Sequence, residues 1–309
     1  MTPHYLTFSN IIIDDIVLGD GRTFMGTLGG AGTHALIGMR IWSDRLGYVA
    51  TVGPDFAPAQ RAQLEKLGID LRGVVVHQAY RTARAWQLFE PDERRIEVMR
   101  TDLNDFFKFT PQFEDMPADY LQARGVHVQW GHTFAELNGL LDQLRQANPA
   151  VVIAWEPASE HLKAGQAEFG PLLRRLDLLS PDLEQAQAMT GQADPAAMAR
   201  TLLAWGAPVV ALRMGARGSI VAAGQGETWH IPAVPPAALV DVTGAGNAYC
   251  GGFLVGLGEK LGPFEAALRA AVSASFAIQQ FGVPDIGAGA LAEAERRLAW
   301  ARHHVEAVR

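Results

Sequence analysis

The sequence predicts an α/β fold in which a mostly parallel central sheet is covered by helices on both faces, three layers in all, with a small β-sheet lid beside it. Three observations point there. Through the middle of the 309-residue chain, short apolar runs alternate with helical patterns, and that alternation implies parallel strands joined by crossover helices. The runs VVIAW (151–155) and VVALRM (209–214) are almost wholly apolar, as strands buried on both faces must be. The first third of the chain instead carries strand-like runs with less helix between them, which suits a partly antiparallel flap.

In chain order, IIIDDIVL (11–18), GVVVHQ (73–78), ARAWQLFE (83–90) and RIEVMR (95–100) read as flap strands, with PDER (91–94) turning between the last two. Helices over 32–42, after the turn GTLGG (26–30), and over 58–67 belong to the main body. Then come strand HVQW (127–130), a helix over 134–146, strand VVIAW, a helix near 169–175 and strand DLLS (177–180). Helical AQAMTG (186–191) and AMARTLLAW (197–205) lead to strand VVALRM. Segments 219–222 and 227–231 flank the turn AAGQGE and read as a hairpin. Helical patterns over 248–260, 263–281 and from Leu291 close the chain. No internal repeat or low-complexity linker interrupts it, so one domain over 1–309 is expected, with its lid formed by about 10–28 and 73–101.

Composition narrows the function classes. A hydrophobic content of 49% with 19% charged residues fits a well-buried sheet and excludes a disordered chain. The net charge of -7, with arginine pairs only in isolation, argues against a nucleic-acid partner. Cys250 is the single cysteine, which rules out an intrachain disulfide and favours a cytoplasmic setting. The N-terminus lacks a basic leader, Asp14 and Asp15 interrupt its apolar run, and no stretch approaches the ~20 apolar residues of a membrane span.

The stretch DVTGAGNAYCGG (241–252) carries the chemistry. Gly244 and Gly246 permit a tight turn, and the helix that follows directs free N–H groups and its positive end into that turn. An anion is expected there. An ordinary helix start with Asn247 as N-cap is the alternative. The stretch is neither a Walker A loop nor the Gly-x-Gly-x-x-Gly dinucleotide fingerprint.

Five segments in register resemble the ribokinase-like (PfkB) carbohydrate kinase family over nearly the whole chain. They are IIIDDIVL, LGGAGTHALIGMRIWSDRLGYVATVGPDF, SPDLEQAQAMTG, ALRMGARGSIVA and DVTGAGNAYCGGF. The resemblance implies a ribokinase-like α/β/α sandwich and ATP-dependent phosphorylation of a hydroxyl on a sugar-like molecule. It implies that Asp14 binds sugar hydroxyls, that Gly29, Gly30, Gly47, Gly53 and Asp55 fall on the first signature, and that Gly215, Gly218 and Thr243 border the nucleotide. The anion hole would be made by Gly244, Ala245 and Gly246, and Asp241 would shape a loop that holds K+ in many relatives. A homodimer through the lid is implied as well, with Trp86 a candidate interface residue.

Three positions depart from the family pattern. Asn247 stands where the family has an aspartate that takes the acceptor proton. An amide cannot do this, and losing a general base typically costs a factor of ~10² to 10⁴. On that reading, Asn247→Asp should raise turnover at least tenfold. At the segment that serves Mg2+ through water, Asp182 and Gln185 replace an asparagine and a glutamate, which moves the charge without deleting it; an ordinary acidic helix start is the alternative. His34 replaces an asparagine that contacts substrate in many sugar kinases, so a ribose preference does not carry over. Three departures together keep a second reading open, a pseudokinase that binds nucleotide or sugar and signals to a protein partner.

Other residues weigh less. His127 and His132 have no zinc-like spacing, and packing accounts for them. Cys250 lies one turn into the helix, where the dipole could lower its pKa, but a buried inert thiol is the commoner state. Glu156 and Pro157 close strand VVIAW at its carboxyl end, where open parallel sheets place ligands, and are expected at the rim of the cleft.

Overall fold

Strands that are apolar on both faces are satisfied only between two layers of helix, and the main sheet is made of such strands. The structure, a computed structural model, describes residues 2–90, 95–130, 133–158, 162, 165–224, 226–287 and 289–307. Its first half contains β1 (Tyr5–Phe8), β2 (Ile12–Val17), β3 (Thr23–Gly29), α1 (Ala31–Arg40), β4 (Leu46–Val52), α2 (Pro58–Lys66) and β5 (Ile69–Val76). Next come β6 (Ala83–Phe89), β7 (Arg95–Met99), α3 (Leu103–Lys108), β8 (Gly125–Val128), α4 (Phe134–Ala147) and β9 (Val152–Trp155). Then follow α5 (Gln166–Leu173), β10 (Leu178–Leu179), α6 (Leu183–Thr190), α7 (Pro195–Ala204), β11 (Val209–Arg213), β12 (Ser219–Ala223) and β13 (Glu227–Ile231). The chain closes with α8 (Ala245–Gly258), α9 (Gly262–Ala277), α10 (Ala290–His303) and β14 (Glu306–Ala307).

The main sheet runs in the order β14-β13-β12-β11-β10-β9-β8-β1-β4-β5. From β11 to β5 every pairing is parallel, and β12 to β14 add an antiparallel edge. β1 and β4 are buried along their whole length. The helices form where the pattern and the caps agree. In α4, Thr133 accepts the N–H of Glu136 at 3.2 Å, and Leu137, Leu140, Leu141 and Leu144 bury one face. The cap contributes ~1 kcal/mol and each leucine about 1.5–3 kcal/mol.

Helix α8 is different, because Ala248 to Gly256 are buried all round. It packs on the sheet alongside the helices α1 and α9, at distances too short for side chains. A Cβ at Gly251 would stand 2.0 Å from the Ala35 carbonyl oxygen, and one at Gly38 2.0 Å from that of Ala248. The backbone after the anion turn is therefore clamped by packing. Among the described residues, no helix is long and apolar enough to cross a membrane.

The lid is a separate four-stranded sheet in the order β3-β2-β6-β7. Two expectations change here. Residues 73–76 are not lid: they end β5, which pairs parallel to β4 in the main sheet with Ala50 opposite Val74. An apolar run reports burial, but the connection through α2 decides which sheet receives it. Residues 26–29 are not a turn before α1 but the end of β3, paired with β2, so the lid has a strand that the glycines concealed. The turn 91–94 and His132 lie outside the described residues, as does Gln225 in the β12–β13 turn. Strands β1, β4 and β14 and helix α3 were not anticipated, and the helix expected over 263–281 stops at Ala277.

Candidate active site

Between the inner face of the lid and the carboxyl ends of β8 to β11 lies a cleft of about 930 Å³, where open parallel sheets bind ligands. Buried polar atoms without partners among the described residues gather in it. Asn10 Oδ1, His34 Nδ1, Gln87 Oε1, Trp130 Nε1, Arg213 Nε and Thr243 Oγ1 all belong to residues that line it. Such groups cost ~1–3 kcal/mol each when nothing pairs with them. The fold therefore holds open polar positions for a ligand.

At the lid end, a β-bulge between Asp14 and Ile16 sets the two aspartates of β2 on different tasks. Asp15 accepts the N–H of Gly26 at 2.8 Å and pairs with Arg100, fixing the strand. Asp14 lines the cleft and accepts from Gln87 Nε2 at 3.1 Å, and Gln87 also donates to Glu97 at 3.0 Å. Burial pushes the Asp14 carboxyl up to about 7, against the hydrogen bond from Gln87. Gly29 clears the space for it, since a Cβ there would fall 1.9 Å from Asp14 Oδ2. Gly30 lines the cleft and precedes α1. His34, on the first turn of α1, also lines it. Burial, with Arg95 nearby, holds the imidazole down at about 4, so it is neutral.

At the other end is the anion turn. Gly244 is the N-cap of α8 in the left-handed region, φ 76°, and a Cβ there would meet the His34 ring at 2.1 Å. The N–H of Ala245 turns back to the Val242 carbonyl at 3.3 Å. Those of Gly246 and Asn247 have no acceptor among the described residues, so they, and not that of Ala245, are the N–H groups left open at the turn. Asn247 is not the N-cap but the third residue of the helix, and its Nδ2 donates to Glu156 Oε2 at 2.8 Å.

Glu156 is the centre of a buried network that spacing in the sequence does not show. Its Oε1 meets Arg213 Nη1 at 2.6 Å, and His127 Nε2 lies 3.2 Å from Oε2. A carboxylate only accepts, so His127 donates to it from Nε2, and Nδ1 lies 3.0 Å from the Thr7 hydroxyl. Burial pushes the Glu156 carboxyl up, but Arg213, His127 and Asn247 outweigh it and hold it down at about 2. Burial drives the Cys250 thiol up to about 12, which excludes a reactive thiolate. His127, Glu156 and Cys250 offer donor atoms within 4.8 Å of one another, but the guanidinium on Glu156 occupies the charge a cation would need. Arg213 in turn requires Gly246, where a Cβ would stand 2.0 Å from Nη1.

Asp182 and Gln185 line the cleft, yet they also cap α6. Asp182 Oδ1 accepts the Gln185 N–H and Gln185 Oε1 accepts the Asp182 N–H, both at 2.8 Å. Gln185 Nε2 donates to the Pro157 carbonyl at 2.9 Å. Each polar atom of Gln185 is thus engaged in a hydrogen bond, whereas Asp182 Oδ2 takes none among the described residues. Gly215 and Gly218 line the cleft at a turn where a Cβ on Gly218 would meet the Ile231 carbonyl oxygen at 2.1 Å. Thr243 lines it too, whereas the buried Asp241 accepts the Thr243 N–H at 2.8 Å and shapes the loop behind it.

Other residues of the first signature are structural. Asp55 accepts from the N–H and hydroxyl of Thr82 at 2.9 and 3.0 Å, and the Gly53 N–H donates to the same hydroxyl. They anchor the start of β6 to the body. Gly47 packs under Leu6. Sequence reasoning missed Arg213, Gln87 and Asn10. The one signal for Arg213 was a cation ending an apolar strand, beside the Glu156 that ends another.

The chain and its fold resemble known proteins. A cytidine kinase of Thermococcus kodakarensis is 26% identical over 268 residues, covering 85% of this chain and 91% of that protein. The structure of a Burkholderia thailandensis nucleoside kinase in complex with inosine superposes with a TM-score of 0.76 at 19% identity, over 97% of this chain and 98% of that one. An E. coli protein solved in complex with ATP and Mg2+ gives a TM-score of 0.73 at 17% identity, over 96% and 99%. At those identities the solved structures establish the fold alone. The profile described as pfkB family carbohydrate kinase matches residues 10–286, which takes in the lid strands, the anion turn and the helices that clamp it, and this chain belongs to that family.

Proposed function

We propose that this chain transfers the γ-phosphoryl group of ATP to a hydroxyl of a small sugar-like or nucleoside-like acceptor. The observation that carries this reading is the convergence of unpartnered buried polar atoms on one cleft, with a carboxylate at one end and a helix N-terminus at the other. Asp14 would accept hydrogen bonds from acceptor hydroxyls under the lid, and His34 Nδ1 and Asn10 Oδ1 would take others. The N–H groups of Gly246 and Asn247, with the positive end of α8, would stabilise charge on the moving phosphoryl group. As the acceptor oxygen bonds to the γ-phosphorus, the bond to the bridging oxygen of ADP breaks, and the hydroxyl proton leaves to water or to the transferred phosphate.

Gly215, Gly218 and Thr243 would border the nucleotide. Mg2+, when bound, would neutralise phosphate charge, with its water shell held by Asp182. The outer face of the lid carries Trp86 beside Val98 and Leu88 beside Ile96, with Ile96 37% and Val98 43% exposed, which supports a homodimer through the lid. Sedimentation of the wild type against Val98→Lys tests it, and an unchanged species would count against the lid as interface. The single, buried cysteine suits a cytoplasmic setting.

A second reading has one observation in its favour, that Gln185 is consumed by the cap and by Pro157. A protein that binds nucleotide or sugar without turnover could dispense with that metal ligand. Calorimetric titration with a non-hydrolysable ATP analogue, with and without Mg2+, followed by an acceptor screen beginning with cytidine, separates the two. Mg2+-dependent binding followed by transfer is the expected result. Binding without transfer to any sugar or nucleoside would leave the second reading.

A further inference from the structure

Asn247 is held in one orientation. Its Nδ2 donates to Glu156 Oε2 at 2.8 Å, and since only the nitrogen of an amide can donate to a carboxylate, chemistry decides which arm of the amide is which. The other arm, Oδ1, takes no hydrogen bond from the described residues, and Asn247 lines the cleft. Glu156 is itself immobilised by Arg213 at 2.6 Å and His127 at 3.2 Å, on the end of a strand buried in the main sheet.

The geometry points to Glu156 as a positioning residue that locks the Asn247 amide with Oδ1 toward the acceptor hydroxyl, the two forming a matched pair that excludes aspartate at 247 while Glu156 is present. This deepens the phosphotransfer reading and rests on it for the role of Oδ1; the pairing itself does not.

Charge explains the exclusion. In the native pair, one carboxylate faces one guanidinium. Asn247→Asp would set a second carboxylate against Glu156 at hydrogen-bond distance, and two such groups cannot both ionise, so one must keep a proton. The new group would be tied to its neighbour instead of serving as a free base. Glu156→Gln alone strands the buried Arg213 without its counter-charge. Glu156→Gln with Asn247→Asp restores one carboxylate, one amide and one guanidinium, with the carboxylate moved toward the acceptor.

The test is a double-mutant cycle on the intact protein: wild type, Asn247→Asp, Glu156→Gln and the double variant, each melted at about pH 8 and each assayed for single-turnover transfer from ATP to cytidine. Each single variant should lose about 5 to 10 °C in melting temperature, and the double variant should recover most of it. In the assay, Asn247→Asp should be no faster than wild type, and the double variant at least ~10-fold faster than Asn247→Asp. Glu156→Gln should lower the single-turnover rate while leaving affinity for the ATP analogue unchanged, a split that mere loosening of the fold would not produce. Additive melting changes would overturn the pairing whatever the activity. A tenfold gain from Asn247→Asp alone would overturn the exclusion of aspartate. Intact thermal coupling with no transfer by any of the four proteins, to cytidine or any other acceptor, would uphold the pairing and overturn the phosphotransfer reading.

Discussion

Asp14 Oδ2 stands 1.9 Å from the point where a Cβ on Gly29 would fall, so the glycine that ends β3 is the space in which the carboxylate of β2 sits. The two residues belong to adjacent strands of the lid. Gly29→Ala should push Asp14 out of line, weakening acceptor binding at least ~10-fold and costing ~1–3 kcal/mol of stability. Affinity for the ATP analogue, which the proposed reading puts at the far end of the cleft, should stay within about twofold. Calorimetry with each ligand checks this, and equal loss of both would show that Asp14 does not mark the acceptor end.

The Asp14 carboxyl ionises near 3.8 in the unfolded chain and near 7 in the folded one. Between those values the folded state holds the extra proton, so stability falls as pH rises through this window and levels off above about 7. The full displacement is worth roughly 4 kcal/mol. Asp14→Asn should therefore melt several degrees higher at about pH 8 and lose much of the slope between about pH 4 and about pH 7. Melting curves over that range are the check. Acceptor hydroxyls that donate to the carboxylate favour its ionised form, so acceptor affinity should fall up to about tenfold per pH unit below about 7; a flat profile would place the acceptor elsewhere.

Asp182 caps α6, and in the proposed reading it also serves Mg2+; one substitution separates the two. Asparagine caps a helix as well as aspartate does but brings no charge to a cation. Asp182→Asn should melt within about a degree of wild type and lose the gain that Mg2+ gives to binding of the ATP analogue. Asp182→Ala should lose that gain and ~1 kcal/mol of stability together. Unchanged Mg2+ dependence in Asp182→Asn would remove this residue from the metal site.

Much of the fold was legible from hydrophobic pattern and local signals. Alternating apolar runs and helical stripes announced the parallel sheet, the pattern over 134–146 announced α4, and the glycines of 244–252 announced a turn into a helix. These features depend on neighbours in the chain, so periodicity and caps report them. The destination of an isolated apolar run was not legible: 73–76 belongs to the main sheet because α2 carries the chain back to β4, and β3 was hidden by the glycines that make room for Asp14.

The site divides in the same way. The anion turn stands out in the sequence because its glycines lead into a helix, whereas Asp14 and His34 were singled out only by the resemblance of their segments to the family. The meaning of Asn247 did not stand out. As a letter in GAGN it reads as a missing base, and restoring aspartate reads as a repair. In space its amide donates to Glu156, which is 91 residues away and is fixed by Arg213 on a third segment. Whether a carboxylate is tolerated at 247 depends on charges brought within about 3 Å by folding, and electrostatic energy follows distance in space, which linear order does not encode.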